Sequence, residues 1–368
     1  MKLASPPSTF GRFFLPGPTE VRPEILQAML KPMIGHRGKD MEELVARLQE
    51  GLKYVFRSER PVYISSSSAT GLMEAAVRNG VRRRVLCLVN GAFSDRFYRI
   101  AAACGLDADP LEVPLGEVNM PTALEKALRR GIYDAVTVVH SETSTGVLNP
   151  IRQLAEVARA AGDVVLLVDS VSAMAGAKVE TDAWGIDFML TGSQKCFALP
   201  PGLAFGVAQP NILERARTQS DRGVYFDLLE FEKNILKNQT PNTPAVSLFY
   251  ALDAQLQAIR KEGIEARWAR HMSMAQRTYK WVDDMRERGI MLEVLAPEGY
   301  RSPSVTCIKV PDGKSGARIS SEAKARGYVI ASGYGDLKDR TFRIGHMGDH
   351  TLEELEELLG VIEEIISA

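Results

Sequence analysis

The stretch VVLLVDSVSAMAGAKVETDAWGIDFMLTGSQK, residues 164–195, holds two short apolar runs that each end abruptly in small or polar residues. Val164–Val168 closes on Asp169-Ser170, and Phe188–Leu190 closes on Thr191-Gly192-Ser193-Gln194-Lys195. Neither run alternates apolar with polar side chains, as a sheet with one wet face requires; both suit strands buried on two faces. The same texture recurs outward, in PVYIS at 61–65, RVLCLV at 84–89 and AVTVVH at 135–140. Helical periodicity lies between them at 70–79, 93–103 and 150–160, and at 41–56 Leu44, Leu48, Leu52 and Val55 share one side. Such alternation predicts an α/β domain, a mainly parallel, doubly wound sheet.

Beyond about residue 243 the texture changes. A long helical stretch from Val246 to Lys261 leads into charged, Arg-rich helices and short strands at 290–296, 304–309 and 340–345. We expect an N-terminal arm at 1–20, a large domain at 21–262 and a smaller α+β C-terminal domain at 263–368. The last helix has a marked start: Thr351 and Glu354 have capping-box spacing, and Leu352, Leu355, Leu358, Leu359 and Ile362 form one stripe. The length of 368 residues suits two domains at roughly 150 residues each.

Charge composition narrows the partners. Lys and Arg number 45 against 46 Asp and Glu, so no global field favours nucleic acid or an acidic membrane, and a small-molecule partner is expected. The run Arg82-Arg83-Arg84 is expected as a solvated loop. The four cysteines, Cys87, Cys104, Cys196 and Cys307, show no CxxC or zinc spacing, and no histidine or carboxylate cluster suggests a metal. MKLASPPSTFGRFF has no apolar run of signal-peptide length, and no run approaches the ~20 residues of a bilayer helix, so we expect a cytoplasmic protein.

In a doubly wound sheet, ligands bind beyond the carboxyl ends of the strands. Four positions there carry chemistry. Ser65-Ser66-Ser67-Ser68-Ala69-Thr70-Gly71 opens a helix and offers N–H groups and hydroxyls to a phosphate, or serves only as a helix cap. Asp169 ends an apolar strand, where a buried carboxylate needs a cationic partner or caps the next turn. Lys195 lies in a small-residue turn, placed for a desolvated nucleophilic amine. Asn90-Gly91-Ala92-Phe93 sets an aromatic ring just past a strand. Pyridoxal phosphate uses all four: a lysine for its aldehyde, an acid for its ring nitrogen, a packing face, and an anion cradle.

The ordered segments LPGPTEV, SSSSATG, NGAF, HSETSTG, VDSVS, TGSQK with PPG, and FRIG resemble the class V, fold-type I aminotransferases of the alanine/serine–glyoxylate group, over essentially the whole chain. The resemblance implies a homodimer with shared active sites, using pyridoxal phosphate to exchange amino groups between a small amino acid, alanine or serine, and a 2-oxo acid such as glyoxylate or pyruvate. It implies that Lys195 holds the cofactor and shuttles the proton, that Asp169 pairs with the ring N–H, and that Val171 and Phe93 pack on its two faces. Ser68, Ala69, Thr70, Ser193 and Gln194 would cradle the phosphate, Thr143 would reach the ring hydroxyl, and Thr240 and Thr243 would reach the partner's phosphate. Arg343, in FRIG, would bind the substrate α-carboxylate as a fork.

Where related enzymes have Ser-Gly-His or Gly-Thr-Gly, the phosphate turn reads Ser-Ala-Thr. His36-Arg37 resembles a stretch that binds a second substrate anion in phosphoserine aminotransferases, which leaves phosphoserine:2-oxoglutarate exchange as an alternative; the same pair would otherwise arrange the arm at the dimer interface. A cysteine desulfurase needs a mobile cysteine, and the comparable loop Ala331-Ser332-Gly333-Tyr334-Gly335 has none. His140 is expected to end a strand beside the cofactor turn, His346 to lie near Arg343, and His271 on a helix surface.

Overall fold

The computed structural model describes residues 10–368, so part of the expected 1–20 arm, residues 1–9, lies outside the described residues. Seven strands form the main sheet: β1 (Tyr63–Ser65), β2 (Arg84–Val89), β3 (Asp107–Glu112), β4 (Ala135–Val139), β5 (Val165–Asp169), β6 (Phe188–Gly192) and β7 (Ala204–Ala208). Their order is β1-β7-β6-β5-β4-β2-β3, and only β7 runs against its neighbours. Strands β4 to β7 are buried at every position, as their unbroken apolar runs require.

Two strands escape the sequence pattern. β3 reads DADPLE, half exposed and with Pro110; it pairs only with β2, and proline is tolerated on such an edge. β7 reads AFGVA after a Pro-Gly turn, and its small residues fit between β1 and β6. Register sets the working edge, since Val139 pairs with Asp169 and Asp169 with Leu190, so the segments after β4, β5 and β6 leave side by side.

Helices α1 (Lys39–Phe56), α2 (Ala69–Gly80), α3 (Ala92–Ala103) and α4 (Val246–Glu262) pack on this sheet and on each other, and Gly263 then turns the chain at φ +87° into α5 (Ile264–Glu287). Ile264 belongs to the large core, whereas Met274, Trp281, Val282 and Met285 of the same helix belong to a second one. That second core lies under an antiparallel sheet ordered β8-β9-β11-β10, made of β8 (Glu293–Val294), β9 (Thr306–Lys309), β10 (Ala331–Ser332) and β11 (Thr341–Ile344). Phe14 joins it from the arm, donating its N–H to Val329 O at 2.7 Å.

Helix α6 (Leu352–Ser367) begins with the expected capping box: Thr351 Oγ1 accepts from Glu354 N, and the Glu354 carboxylate accepts from Thr351 N. Leu352, at the first helical position, is exposed and leaves the expected stripe; the other four residues are buried. Among the described residues no helix is long and apolar enough to cross a membrane.

Candidate active site

Lys195 follows β6 in a turn closed by Ala198 N donating to Lys195 O at 2.8 Å. Ala198 sits at φ +52°, a left-handed conformation that alanine adopts only at a cost in strain. The Ser193 hydroxyl braces this turn, donating to Pro200 O and accepting from Leu203 N, so it faces away from the cavity in which a phosphate would lie. The lysine is 7% exposed, and its Nζ donates to Pro16 O. Gly17 presses against the side chain so closely that a Cβ there, at φ +92°, would overlap it. Burial pushes the Lys195 ammonium down to about 8; the nearby Asp169 charge resists this, and Arg343 and Arg96 add to it.

Asp169, 3% exposed, ends β5 and accepts from Val171 N at 2.8 Å. Burial raises its carboxyl to about 7, although the Val171 N–H and the Lys195 charge favour ionisation. Among the described residues no other donor reaches it. A buried acid whose one hydrogen-bond donor among the described residues is the Val171 N–H is the partner that a protonated ring nitrogen needs.

Both residues line a cavity of about 240 Å³, whose wall also carries Ser68, Ala69, Thr70, Phe93, Thr143, Val171 and Gln194. Helix α2 starts on this wall; its cap residue Ser68 makes no side-chain capping bond, which leaves first-turn N–H groups for an anion. The acid, the amine, the facing ring and the open helix end fit pyridoxal phosphate.

Glu142 holds Phe93 in place. Its buried carboxylate accepts from the N–H groups of Phe93, Ser94 and Ser144 and from both serine hydroxyls, capping α3 from a distant loop. Gly91 permits the approach, since a Cβ there would strike Ser144 and Glu142. Arg343 on β11 reaches Thr143, a residue of the cavity wall. Its Nε donates to Ser332 O and its Nη1 to Thr143 O, while Nη2 has no protein partner among the described residues.

Besides Ser193, four more expected residues lie elsewhere. Arg37 donates to Thr240 O at 2.6 Å and Pro241 O at 3.0 Å, so its fork is committed to main-chain carbonyls and it does not line the Lys195 cavity of its own chain. His36 beside it is half-buried and likewise off that wall. Thr240 and Thr243 line a separate crevice with Ser66 and Tyr225.

His271 corrects an expectation: it is fully buried, its Nδ1 on Arg267 O and its Nε2 accepting from Gly348 N, because the 346–350 loop covers this side of α5. His346 bridges Thr306 and Pro303, and His140 contacts Ser170; burial keeps all three imidazoles neutral. Cys196 and Cys307 are buried, each thiol pushed up to about 11, which suits packing and not nucleophilic attack. No metal-holding cluster occurs among the described residues.

Gly17, Glu142 and Arg96 line or build the site without having been singled out in the sequence. For Arg96 a signal existed, since it stands three residues after Phe93 and therefore on the same helix face.

Residues 26–334 match the family model described as aminotransferase class-V. A serine–glyoxylate aminotransferase of Methylorubrum extorquens is 34% identical over 362 residues, covering 95% of this chain and 88% of that protein. An L-aspartate–glyoxylate aminotransferase of Paracoccus denitrificans is 34% identical over 346 residues, with 92% and 86% covered. The crystal structure of an alanine–glyoxylate aminotransferase from Nostoc sp. superposes with a TM-score of 0.90 at 28% identity, covering 100% of this chain and 97% of that one. The chain belongs to the class V family of aminotransferases, which depend on pyridoxal phosphate.

Proposed function

We propose that this enzyme moves the amino group of a small L-amino acid, alanine or serine, to a 2-oxo acid such as glyoxylate or pyruvate, as a cytoplasmic homodimer. The observation that carries the reading is the cavity shared by Lys195, Asp169 and Phe93, with Arg343 bonded to Thr143 of its wall. The glyoxylate-linked names of the relatives support the substrate class.

Pyridoxal phosphate, when bound, supplies an aldehyde for the amine and an electron sink for the bond that breaks at Cα. The protein's residues do the rest. The open start of α2 at Ser68, Ala69 and Thr70, with Gln194, binds the phosphate. Asp169 holds the proton on the ring nitrogen, and Val171 and Phe93 fix the ring plane. Arg343 binds the α-carboxylate and so orients the Cα–H bond. Burial, which pushes the Lys195 ammonium down to about 8, favours the free amine that would take the Cα proton at Nζ and deliver it to the carbon that carried the cofactor's aldehyde. The same burial keeps water from competing.

Dimer formation is supported by an uncovered apolar face. Leu30 and Val224 are 83% and 89% exposed, and Leu26, Met33, Tyr225 and Leu236 are exposed nearby. Arg37 and Thr240 tie these segments together, and Thr243 sits among them, so a second copy would cover the face and meet both threonines. Four free cysteines, three of them buried, suit a reducing compartment. The phosphoserine alternative is weakened because Arg37 is committed elsewhere.

The test is a half-reaction screen. Holoenzyme mixed with alanine, serine or phosphoserine should lose the aldehyde absorbance of its cofactor with the first two, and Lys195→Ala should not turn over. If no amino acid converts the cofactor, the reading fails.

A further inference from the structure

Thr143 and Ser172 form a pair of buried hydroxyls on the wall of the Lys195 cavity that the mechanism above leaves unused. Their side-chain oxygens lie 2.6 Å apart, and among the described residues neither has another hydrogen-bond partner. The two residues are 3% and 2% exposed and come from different elements. Thr143 sits in the turn beyond β4, closed by the Thr145 and Gly146 N–H groups on Glu142 O. Ser172 follows β5, three residues after Asp169 and one after Val171.

Segments far along the chain hold both main chains. Ser304 Oγ donates to Ser172 O at 2.5 Å, and Arg343 Nη1 donates to Thr143 O at 3.1 Å. The side chains therefore meet at a fixed place, and only the direction of their hydrogens is left open. Each hydroxyl carries one hydrogen and one of the two is spent inside the pair, so a single O–H is left for the cavity.

The chemistry of the cofactor selects that direction. Apart from its phosphate and aldehyde, pyridoxal phosphate carries two polar ring atoms: the nitrogen, which Asp169 takes, and an oxygen that is anionic while the link to Lys195 is protonated. Five hydroxyl-bearing residues line the cavity. Ser68 and Thr70 belong to the start of α2 and the phosphate, and Ser141 Oγ is occupied by Ser302 Oγ at 2.8 Å. The Thr143–Ser172 pair is left for the ring oxygen, and the family resemblance puts Thr143 next to it. An anion there draws both hydrogens one way, Ser172 to Thr143 and Thr143 to the ring oxygen, and in a dry site each bond strengthens the other.

We propose that Ser172 is a positioning residue for the cofactor: its O–H donates to Thr143 Oγ1, holds the Thr143 hydrogen on the ring oxygen, and so lowers the pH at which the lysine–cofactor link gives up its proton. A donor on the ring oxygen stabilises its negative charge and weakens its hold on the adjoining link proton. The charged groups around the link, Asp169, Glu142, Arg96 and Arg343, are the same with or without the serine hydroxyl. The proposal rests on the transaminase reading of the same cavity.

The test is a double-variant cycle on the holoenzyme, read by the visible absorbance of the cofactor between about pH 5 and 10 and by the dissociation constant of pyridoxal phosphate. Thr143→Val keeps the carbonyl that holds Arg343 and should raise the absorbance midpoint by about one to two pH units, the range that a hydrogen bond to a charged acceptor carries. Ser172→Ala should raise it by roughly half a unit and weaken cofactor binding about twofold to threefold, because the outer bond polarises the inner one only in part. The double variant should match Thr143→Val alone in both readouts. Ser172→Thr, which keeps the O–H, should stay with wild type and separates the hydroxyl from mere packing. The proposal is overturned by a Ser172→Ala variant unchanged in both readouts, by one whose effect adds in full to Thr143→Val or exceeds it, or by a Ser172→Thr variant that behaves like the alanine one. If the protein takes up no pyridoxal phosphate, or the loaded enzyme converts no amino acid, the transaminase reading falls and this proposal with it. A working transaminase that fails the cycle sinks this proposal alone.

Discussion

Asp169→Asn separates what the buried carboxylate does to the protein from what it does for the cofactor. In the cofactor-free protein, burial raises this carboxyl from its ordinary 3.8 to about 7. The folded state therefore binds a proton more tightly than the unfolded state, so the stability this group contributes is full below 3.8 and is lost as pH rises through 7. The difference of about three units corresponds to about 4 kcal/mol, with a slope of about 1.4 kcal/mol per pH unit inside the window. Asparagine mimics the neutral acid and can still accept the Val171 N–H bond of 2.8 Å. Lys195, at about 8, stays protonated through most of this range and adds little slope. Urea unfolding of the cofactor-free wild type and variant, at intervals from about pH 5 to 8, should show the asparagine variant more stable at pH 8, with the gap closing toward pH 5. With cofactor bound the order should reverse, since the ring N–H then pairs with the ionised aspartate. A gap independent of pH in the cofactor-free protein would refute the assignment of a destabilised, proton-seeking carboxylate.

Two further substitutions probe the walls of the site. Gly17→Ala, at φ +92° and in collision with Lys195, should abolish or strongly reduce cofactor attachment read by absorbance, whereas Gly35→Ala, with nothing within 4 Å of its added carbon, should retain it. Glu142→Ala strands the N–H groups of Phe93, Ser94 and Ser144 in a buried loop and should cost about 2–4 kcal/mol by denaturant unfolding, with weaker cofactor binding as Phe93 loosens. An unchanged unfolding midpoint would rule out that bracing role.

The sequence by itself determined the sheet and the edge of the sheet where chemistry lies. Runs such as VLLVD are apolar through and then polar at once, and that local pattern reports both burial on two faces and where the strand ends. Asp169 and Lys195 were legible for the same reason: an acid and an amine directly after buried strands have few purely structural uses. β3 and β7 were not legible, because an edge strand with a proline and a strand of small residues carry no periodic signal. Tertiary structure alone decided where long side chains finish. Arg37 ends on the carbonyl of Thr240, 203 residues away, and Arg343 on that of Thr143, 200 away. His271 is buried by a loop distant in sequence, and Arg96 comes to line the Lys195 cavity. Periodicity records which face of an element is covered; it does not record which remote loop covers it, and that meeting of segments determines whether a charged side chain is a brace or a ligand.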